Sequence, residues 1–178
     1  MLQLSKTFSR LIGLILMFGL GSVQAQSGKP ENALPELTNL QAVAQEAKQK
    51  NLPIMLMFGA TWCDFCHTLR HEVLDPMELG GLYQGKYVVM RHIVIDHELT
   101  MPGFDGKPLN MRTWSDNIHA DLTPTLVFFD SQGKEIAPRI VGISNLDMYA
   151  ALIHQRLNLG YQALNNPIRL PAMPEQLK

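Results

Sequence analysis

The stretch Ala60-Thr61-Trp62-Cys63-Asp64-Phe65-Cys66-His67 holds both cysteines of the 178-residue chain, with two residues between them. The apolar run Pro53–Phe58 before it has the length of a fully buried strand, and residues 68–74 after it carry apolar side chains at helical spacing. The pair therefore falls where a strand ends and a helix begins. Free backbone N–H groups and the helix dipole favour an anion there, which predicts an easily formed thiolate at Cys63.

The spacing also predicts different surroundings for the two sulfurs. Cys63 falls at the first turn of the helix, where we expect it to be exposed and to act as the nucleophile. Cys66 falls one turn later, where we expect it to face inward, shielded by Phe65. Burial raises the pKa of a thiol, so Cys66 is predicted to react only with a sulfur already held beside it.

Residues 1–25 have the pattern of a secretory signal peptide. Lys6 and Arg10 precede an uncharged apolar run over residues 11–20, and small residues follow up to Ala25. The apolar run is shorter than the ~20 residues that a membrane span needs, which favours cleavage over an uncleaved anchor. We therefore predict a periplasmic protein with no stable membrane insertion after signal cleavage.

The predicted mature chain, residues 26–178, is long enough for one domain with a proper core. It carries 13 basic and 16 acidic residues and no basic cluster, so we expect no nucleic-acid partner. An oxidising compartment permits a structural disulfide. A bridge across two residues, however, closes too small a loop to stabilise the fold much. Redox chemistry therefore explains the cysteine pair better.

Hydrophobic periodicity predicts alternating helices and strands. We expect a flexible lead-in at 26–35, one domain at 36–160 and a Pro-containing tail at 161–178. Within the domain, helices are predicted at 36–50, 111–122 and 145–159, and strands at 53–58, 86–96, 126–129 and 134–141. The last two strands form a hairpin. The segment 97–110 is rich in turn signals, and we predict a surface loop near the cysteine end of the domain that biases partner choice.

Three motifs together resemble the thioredoxin superfamily, and within it the periplasmic thioredoxin-like proteins of the SoxW type. They are Trp62–Cys66 after a buried strand, Thr123-Pro124-Thr125 before an apolar strand, and Gly133-Lys134-Glu135 in the hairpin turn. The segment Phe104–Lys107 is similar to the SoxW type in particular. The resemblance covers about residues 36–160.

This resemblance implies an α/β, thioredoxin-like fold with a central mixed β-sheet flanked by helices, and a cis peptide bond before Pro124. It implies that Cys63 and Cys66 are the catalytic, redox-active disulfide. It implies that Trp62, Thr123 and Pro124 bind the substrate. Protein thiols and disulfides are the implied partners, a membrane thiol reductant is the implied electron donor, and no cofactor or metal is expected.

The sequence departs from the thioredoxin pattern at two places. Met57 stands where thioredoxins carry a buried acid, and His92 stands where they carry a lysine. A proton relay and a packed neutral histidine are both open for His92. Between the cysteines, Asp64-Phe65 replaces the Gly-Pro of thioredoxin, and the charge of Asp64 opposes a thiolate at Cys63. That favours a reductase over a strong oxidant, so Asp64, Phe65 and His92 are candidate tuning residues.

Other functions also fit part of the pattern. Cys63-x-x-Cys66-His67 matches the attachment motif of a c-type haem electron-transfer protein, although this leaves Thr123-Pro124 unexplained. A metal site built from both cysteines, His67 and His71 is a further alternative. A non-catalytic thioredoxin-like binding or chaperone module remains as well.

Overall fold

The structure is a computed structural model that describes residues 34–177; the predicted signal peptide, residues 1–25, lies outside them. The elements are α1 (Leu40–Lys50), β1 (Ile54–Gly59), α2 (Asp64–Leu69), α3 (Asp75–Leu79), β2 (Val89–Val94), β3 (Thr100–Pro102), β4 (Pro108–Asn110), α4 (Met111–Asn117), β5 (Thr125–Phe129), β6 (Glu135–Val141) and α5 (Tyr149–Ala163). A π-helical turn, Arg70–Leu74, joins α2 to α3 in one continuous helical run. None of the helices within residues 34–177 has the length and apolar character that a membrane span requires.

The central sheet has four strands in the order β2-β1-β5-β6. Strand β2 runs parallel to β1, whereas β5 runs antiparallel to both β1 and β6. Alternate residues of β1 reach opposite faces of the sheet, as the pleat requires. Met55 and Met57 pack with the α2–α3 run and α5, and Leu56 and Phe58 pack with α1. This confirms the predicted α/β fold with a mixed sheet flanked by helices.

The first helix begins later in the structure than the sequence predicts. Helix α1 begins at Leu40, because the side chain of Asn39 caps it by accepting the backbone N–H of Ala42 at 2.9 Å. Glu36, predicted to be helical, instead pairs alongside His92 at the edge of β2. The chain before α1 therefore extends the sheet and brings its backbone against His92.

Two further helix boundaries also differ from the prediction. Helix α4 ends at Asn117, not at residue 122, because the chain reverses at His119, whose φ is +55°. Leu122 is consequently 65% exposed and does not lie on a helix face. Helix α5 runs over 149–163 rather than 145–159, since Asn145 forms a turn with the N–H of Met148 before the helix begins.

The segment 97–110 was predicted to be a surface loop near the cysteine end, and that form and placement are wrong; its predicted effect on partner choice stays a prediction. It forms a β-hairpin in which β3 and β4 pair, and Met101 is buried. The ring of Phe104 at its tip lies 5.7 Å from the ring of Phe129 and covers Gly133 in the turn after β5. Because Thr125 at the other end of β5 faces the cysteine end, aromatic packing holds the hairpin tip at the opposite end of the sheet.

The residues after α5 pack against the domain. Nδ1 of the buried His154 donates to the carbonyl of Pro171 at 2.7 Å, and the hydroxyl of Tyr83 donates to Nε2 at 2.8 Å. Leu170 is buried beside them, and its N–H donates to the side chain of Asn158. Side-chain hydrogen bonds therefore hold the C-terminal segment onto α5.

Candidate redox-active site

Cys63 and Cys66 form a disulfide at the junction of β1 and α2, with their Cα atoms 5.2 Å apart. Cys63 is the N-cap of α2, as the sequence predicts, and its backbone is extended. Its Sγ accepts a hydrogen bond from the backbone N–H of Cys66 at 3.1 Å. The arrangement directs backbone N–H dipoles of the first helical turn at the Cys63 sulfur, where they stabilise negative charge.

The expected difference in exposure between the two cysteines is wrong for the disulfide form. Cys63 is 5% exposed and Cys66 is 3% exposed. As the N-cap, Cys63 folds its sulfur back over the first turn towards the Cys66 amide, which removes it from solvent. Phe65 does not shield Cys66 either, since its side chain is 68% exposed, and Trp62 is 74% exposed. Two large aromatic side chains thus project into solvent beside a buried disulfide.

The turn that leads into the cysteines is held by Asp96, which the sequence analysis missed. Its carboxylate accepts the backbone N–H of Thr61 at 3.0 Å and also the Thr61 hydroxyl. Partial desolvation acts to raise the pKa of Asp96, but these hydrogen bonds outweigh it and hold that pKa below its usual range. Nε2 of His67 donates to the Thr61 carbonyl at 3.2 Å from the other side. The sequence contained a signal for Asp96, because Asp96 follows β2 and the parallel strands β1 and β2 end at the same edge of the sheet.

Pro124 lies next to this site through the sheet register. The Thr123–Pro124 peptide bond is cis, and Pro124 is buried. Thr125 is the partner of Phe58, so the next residues along the two antiparallel strands, Pro124 and Gly59, face each other. A side chain built on Gly59 would meet Sγ of Cys66 at 3.4 Å, so Gly59 adjoins the buried cysteine as well as Pro124.

Two exposed apolar residues near Pro124 were not identified from the sequence. Leu122 precedes Thr123-Pro124, and Val141 is the strand partner of Thr125; they are 65% and 53% exposed. The N–H of Gly142, next to Val141, donates to the carbonyl of Pro124 at 2.8 Å. Exposed apolar residues thus flank both sides of the proline segment.

The remaining candidate residues lie in different surroundings. Asp64 is exposed in the first turn of α2, one residue after Cys63. Met57 and His92 are neighbours across β1 and β2, and both are buried. Burial and then the positive charge of Arg70 lower the pKa of His92, against the opposing effects of Glu36 and two backbone carbonyls. Phe65 lies at the surface, so His92 alone among the three tuning candidates is an interior group.

In the structure, the residues of the haem and metal-site alternatives contact other groups. Thioether attachment of a haem needs both sulfurs, and both are used in the disulfide. Within residues 34–177, no three His, Cys, Asp or Glu side chains are grouped so that they could hold a metal ion. His71 instead lies 3.5 Å from the buried carboxylate of Asp75.

Comparison with known proteins identifies a family and several relatives of this chain. The family model described as a thioredoxin-like domain matches residues 40–157. The chain is 29% identical to the disulfide bond reductase DsbH of Chlamydia pneumoniae over 98 residues, which are 52% of this chain and 55% of that protein. It is 24% identical to the thiol:disulfide interchange protein DsbD of Cronobacter sakazakii over 142 residues, 79% of this chain and 22% of that protein.

Solved structures also match much of the chain. A structure described as DsbH oxidoreductase has a TM-score of 0.49 and 20% identity, and the match covers 75% of this chain and 92% of that one. The thioredoxin NaTrxh of Nicotiana alata has a TM-score of 0.48 and 22% identity, with 70% and 93% covered. Among the curated relatives the chain spans between 22% and 55% of each protein's length.

Proposed function

Because this chain belongs to the thioredoxin-like domain family, we propose that it is a periplasmic thiol–disulfide oxidoreductase whose redox couple is Cys63 and Cys66. The observation that carries the proposal is the disulfide at the N-cap of α2, with the Cys63 sulfur accepting the Cys66 N–H. A sulfur so placed is a stabilised thiolate when reduced, and it is also a good leaving group when oxidised.

Reduction of a substrate proceeds in two exchanges. The Cys63 thiolate attacks one sulfur of a substrate disulfide, which forms a Cys63–substrate bond and releases the other substrate sulfur as a thiolate. The Cys66 thiolate then attacks Sγ of Cys63, which forms the intramolecular disulfide and releases the second substrate sulfur. The substrate gains two electrons and two protons, and the cysteine pair is oxidised.

The direction that we propose is reduction rather than strong oxidation. A strong oxidant draws its driving force from a very stable thiolate in its reduced form. The carboxylate of Asp64 follows Cys63 directly and is exposed in the first turn of α2, where its negative charge opposes that thiolate. One relative is a disulfide bond reductase by name, which agrees with this direction.

The proposed substrates are proteins with accessible disulfides. Trp62, Phe65, Leu122 and Val141 are all large, apolar and exposed, and they lie around the cysteine and proline segments. Together with Thr123 and Pro124 they would contact the polypeptide on both sides of a substrate cysteine. We also propose, from the resemblance of Phe104–Lys107, that the protein is of the SoxW type. Those residues lie away from the cysteines.

The proposed location rests on the N-terminal sequence. Residues 1–25 carry the signal-peptide pattern, so we propose cleavage after Ala25, a lead-in at 26–35, the catalytic domain from residue 36 to the end of α5, and the tail after it. In the periplasm a membrane thiol reductant would supply electrons, and the likeness to a thiol:disulfide interchange protein supports that partner. Mass spectrometry of the exported protein tests the processing, with Gln26 expected as the first residue.

Insulin reduction by dithiothreitol tests the activity. The full chain should accelerate precipitation of the released insulin B chain, and Cys63→Ser and Cys66→Ser should each abolish the acceleration. Gln132→Ala, an exposed change in the turn after β5 at the end of the sheet opposite the cysteines, is the matched control and should react as the parent. A parent protein that gives no acceleration would favour the non-catalytic binding module instead.

A further inference from the structure

A small, partly open cavity borders Cys66. Its volume is about 80 Å³, and its lining includes Cys66, Arg70, Met57 and His92. Cys66 and Arg70 are one helical turn apart on the same run, and the backbone N–H of Arg70 bonds to the Cys66 carbonyl. The cavity is large enough for a water molecule and has polar groups to hold one.

Apart from Cys66, the charged and titratable residues that line this cavity are cationic or basic. Arg70 and His67 line it from the helical run, and His92 lines it from β2. Glu36, on the edge segment paired with His92, also acts on the imidazole and is the nearby acid on that side. Asp96 bonds to Thr61 at the outer rim. Met57 occupies the lining position from which an acid would act on Cys66, and its side chain is a thioether.

The tautomer of His92 follows from its hydrogen bond. Nδ1 lies 3.2 Å from the carbonyl of Leu34, so Nδ1 carries the hydrogen and donates it. Nε2 of the neutral ring is therefore left with its lone pair. Desolvation and the charge of Arg70 both lower the pKa of His92, so the ring is neutral at physiological pH.

We propose that Arg70 and His92 together activate Cys66 as the resolving thiol: His92 accepts the Cys66 proton across the cavity, and Arg70 stabilises the thiolate that remains. This rests on the proposed function and specifies how its second exchange occurs without a buried acid. It assigns a role to two residues that lie 22 positions apart in the sequence and meet only through the helix and sheet packing.

The S–H bond of Cys66 breaks, and its proton passes to Nε2 of His92 directly or through one cavity water. The Cys66 thiolate attacks Sγ of Cys63 in the mixed disulfide, and the Cys63–Cys66 bond forms as the bond from Cys63 to the substrate sulfur breaks. The substrate sulfur leaves with the electron pair, and the His92 proton returns to solvent.

The acidity of Cys66 tests the role of Arg70 without any substrate. In a Cys63→Ser background Cys66 is the sole thiol, and its thiolate is titrated by ultraviolet absorbance and by its rate of alkylation with iodoacetamide. Arg70→Gln should lower the thiolate fraction at neutral pH about tenfold, since a nearby opposite charge shifts a pKa by a unit or more. Arg70→Lys, which keeps the positive charge, should retain most of the parental thiolate fraction.

The matched control is Arg91→Gln, which removes the same charge from a residue paired with Glu46 at 3.6 Å, away from the cavity. It should leave the titration of Cys66 unchanged. An Arg70→Gln titration equal to that of the parent and of Arg91→Gln would overturn the role of Arg70. Far-ultraviolet circular dichroism of each variant establishes that the fold is retained.

The pH dependence of resolution tests the role of His92. Reduced protein with both cysteines reacts with Ellman's reagent in two phases: Cys63 forms a mixed disulfide and releases one thionitrobenzoate, and Cys66 then releases the second. His92→Gln keeps a donor for the Leu34 carbonyl but cannot take a proton. We expect it to slow only the second phase, at least about tenfold at neutral pH, and to remove the loss of rate that protonation of His92 causes at low pH.

A second phase with the parental rate and pH profile in His92→Gln would overturn the role of His92. These readouts separate this inference from the proposed function, because they use a small disulfide and no protein substrate. Parental two-phase kinetics with no insulin reduction would contradict the proposed function alone. Insulin reduction with unchanged phases in both variants would contradict this inference alone.

Discussion

The backbone N–H of Cys66 points at Sγ of Cys63 across 3.1 Å, within the first turn of α2. The same donor that contacts the disulfide sulfur is in place to stabilise a thiolate after reduction, so little backbone movement is required between the two states. The two cysteines thus differ in electrostatic surroundings rather than in exposure. Cys63 receives the helical N–H dipole, and Cys66 borders the cavity with Arg70 and His92.

This asymmetry predicts the outcome of mixed-disulfide trapping. Cys66→Ser leaves the Cys63 nucleophile without a resolving thiol, so it should accumulate stable mixed disulfides with protein partners. Cys63→Ser should accumulate few, since the helical N–H that stabilises an attacking thiolate is directed at the Cys63 sulfur and not at Cys66. Non-reducing electrophoresis of cell extracts that contain each variant measures this. Complexes that form through Cys66 alone would reverse the assignment of the attacking cysteine.

Asp64 is expected to restrain the acidity of Cys63. Replacing its carboxylate by an amide in Asp64→Asn removes a negative charge adjacent to the thiolate, which should lower the pKa of Cys63 and make the disulfide more oxidising. Titration of the Cys63 thiolate by ultraviolet absorbance is the direct measurement. Asp116→Asn, at an exposed site on α4, is a control of the same chemistry. An unchanged pKa in Asp64→Asn would remove Asp64 from the mechanism.

Burial of His154 predicts a pH-dependent stability. Desolvation lowers the pKa of His154 in the fold, against the hydrogen bond to Pro171 and the charge of Glu175. The unfolded chain therefore binds more protons as pH falls below about 6.5, and the free energy of unfolding declines from that pH downward, towards the folded pKa. His154→Gln can keep both hydrogen bonds without titrating, so it should flatten this decline.

Urea unfolding as a function of pH checks the effect of His154. His119→Gln, which changes an exposed histidine, should retain the parental slope. His92 also has a lowered pKa and contributes to the same pH range, so part of the decline remains in His154→Gln. A slope that is identical in the parent and in His154→Gln would contradict this prediction.

The hairpin tip is expected to affect stability and not redox chemistry. Phe104 packs on Trp114 and Phe129 at the end of the sheet away from the cysteines. Because Phe104 is only half-buried, Phe104→Ala should cost about 1–3 kcal/mol of unfolding free energy, less than a fully buried ring. Its disulfide should equilibrate with glutathione as in the parent. A shifted equilibrium would mean that the hairpin communicates with Cys63.

The redox junction was predictable from the sequence because its determinants are local. A buried strand, a short turn and an amphipathic helix follow one another within about twenty residues, and the two cysteines mark the boundary. Cys63 is accordingly at the N-cap of α2 in the structure. Its burial was not predictable, since that depends on how the N-cap side chain folds over the helical turn.

The hairpin at 97–110 could not be predicted from local sequence signals. Turns do occur around Pro102–Gly103 and Asp105–Gly106, but strands of three residues are too short for periodicity to reveal. Its direction is decided by the aromatic contacts of Phe104 with distant residues. The cavity beside Cys66 was hidden for the same reason, because only the register of β1 with β2 brings His92 next to Met57.

Equilibration of the full chain with glutathione redox buffers measures whether Cys63 and Cys66 are a working redox couple. We expect one two-electron transition between dithiol and disulfide that Cys63→Ser and Cys66→Ser both abolish. The potential should lie nearer to that of thioredoxin, about −270 mV, than to that of a strong periplasmic oxidant, about −120 mV. A protein that shows no cysteine-dependent transition, or one whose potential lies near −120 mV, would contradict this expectation.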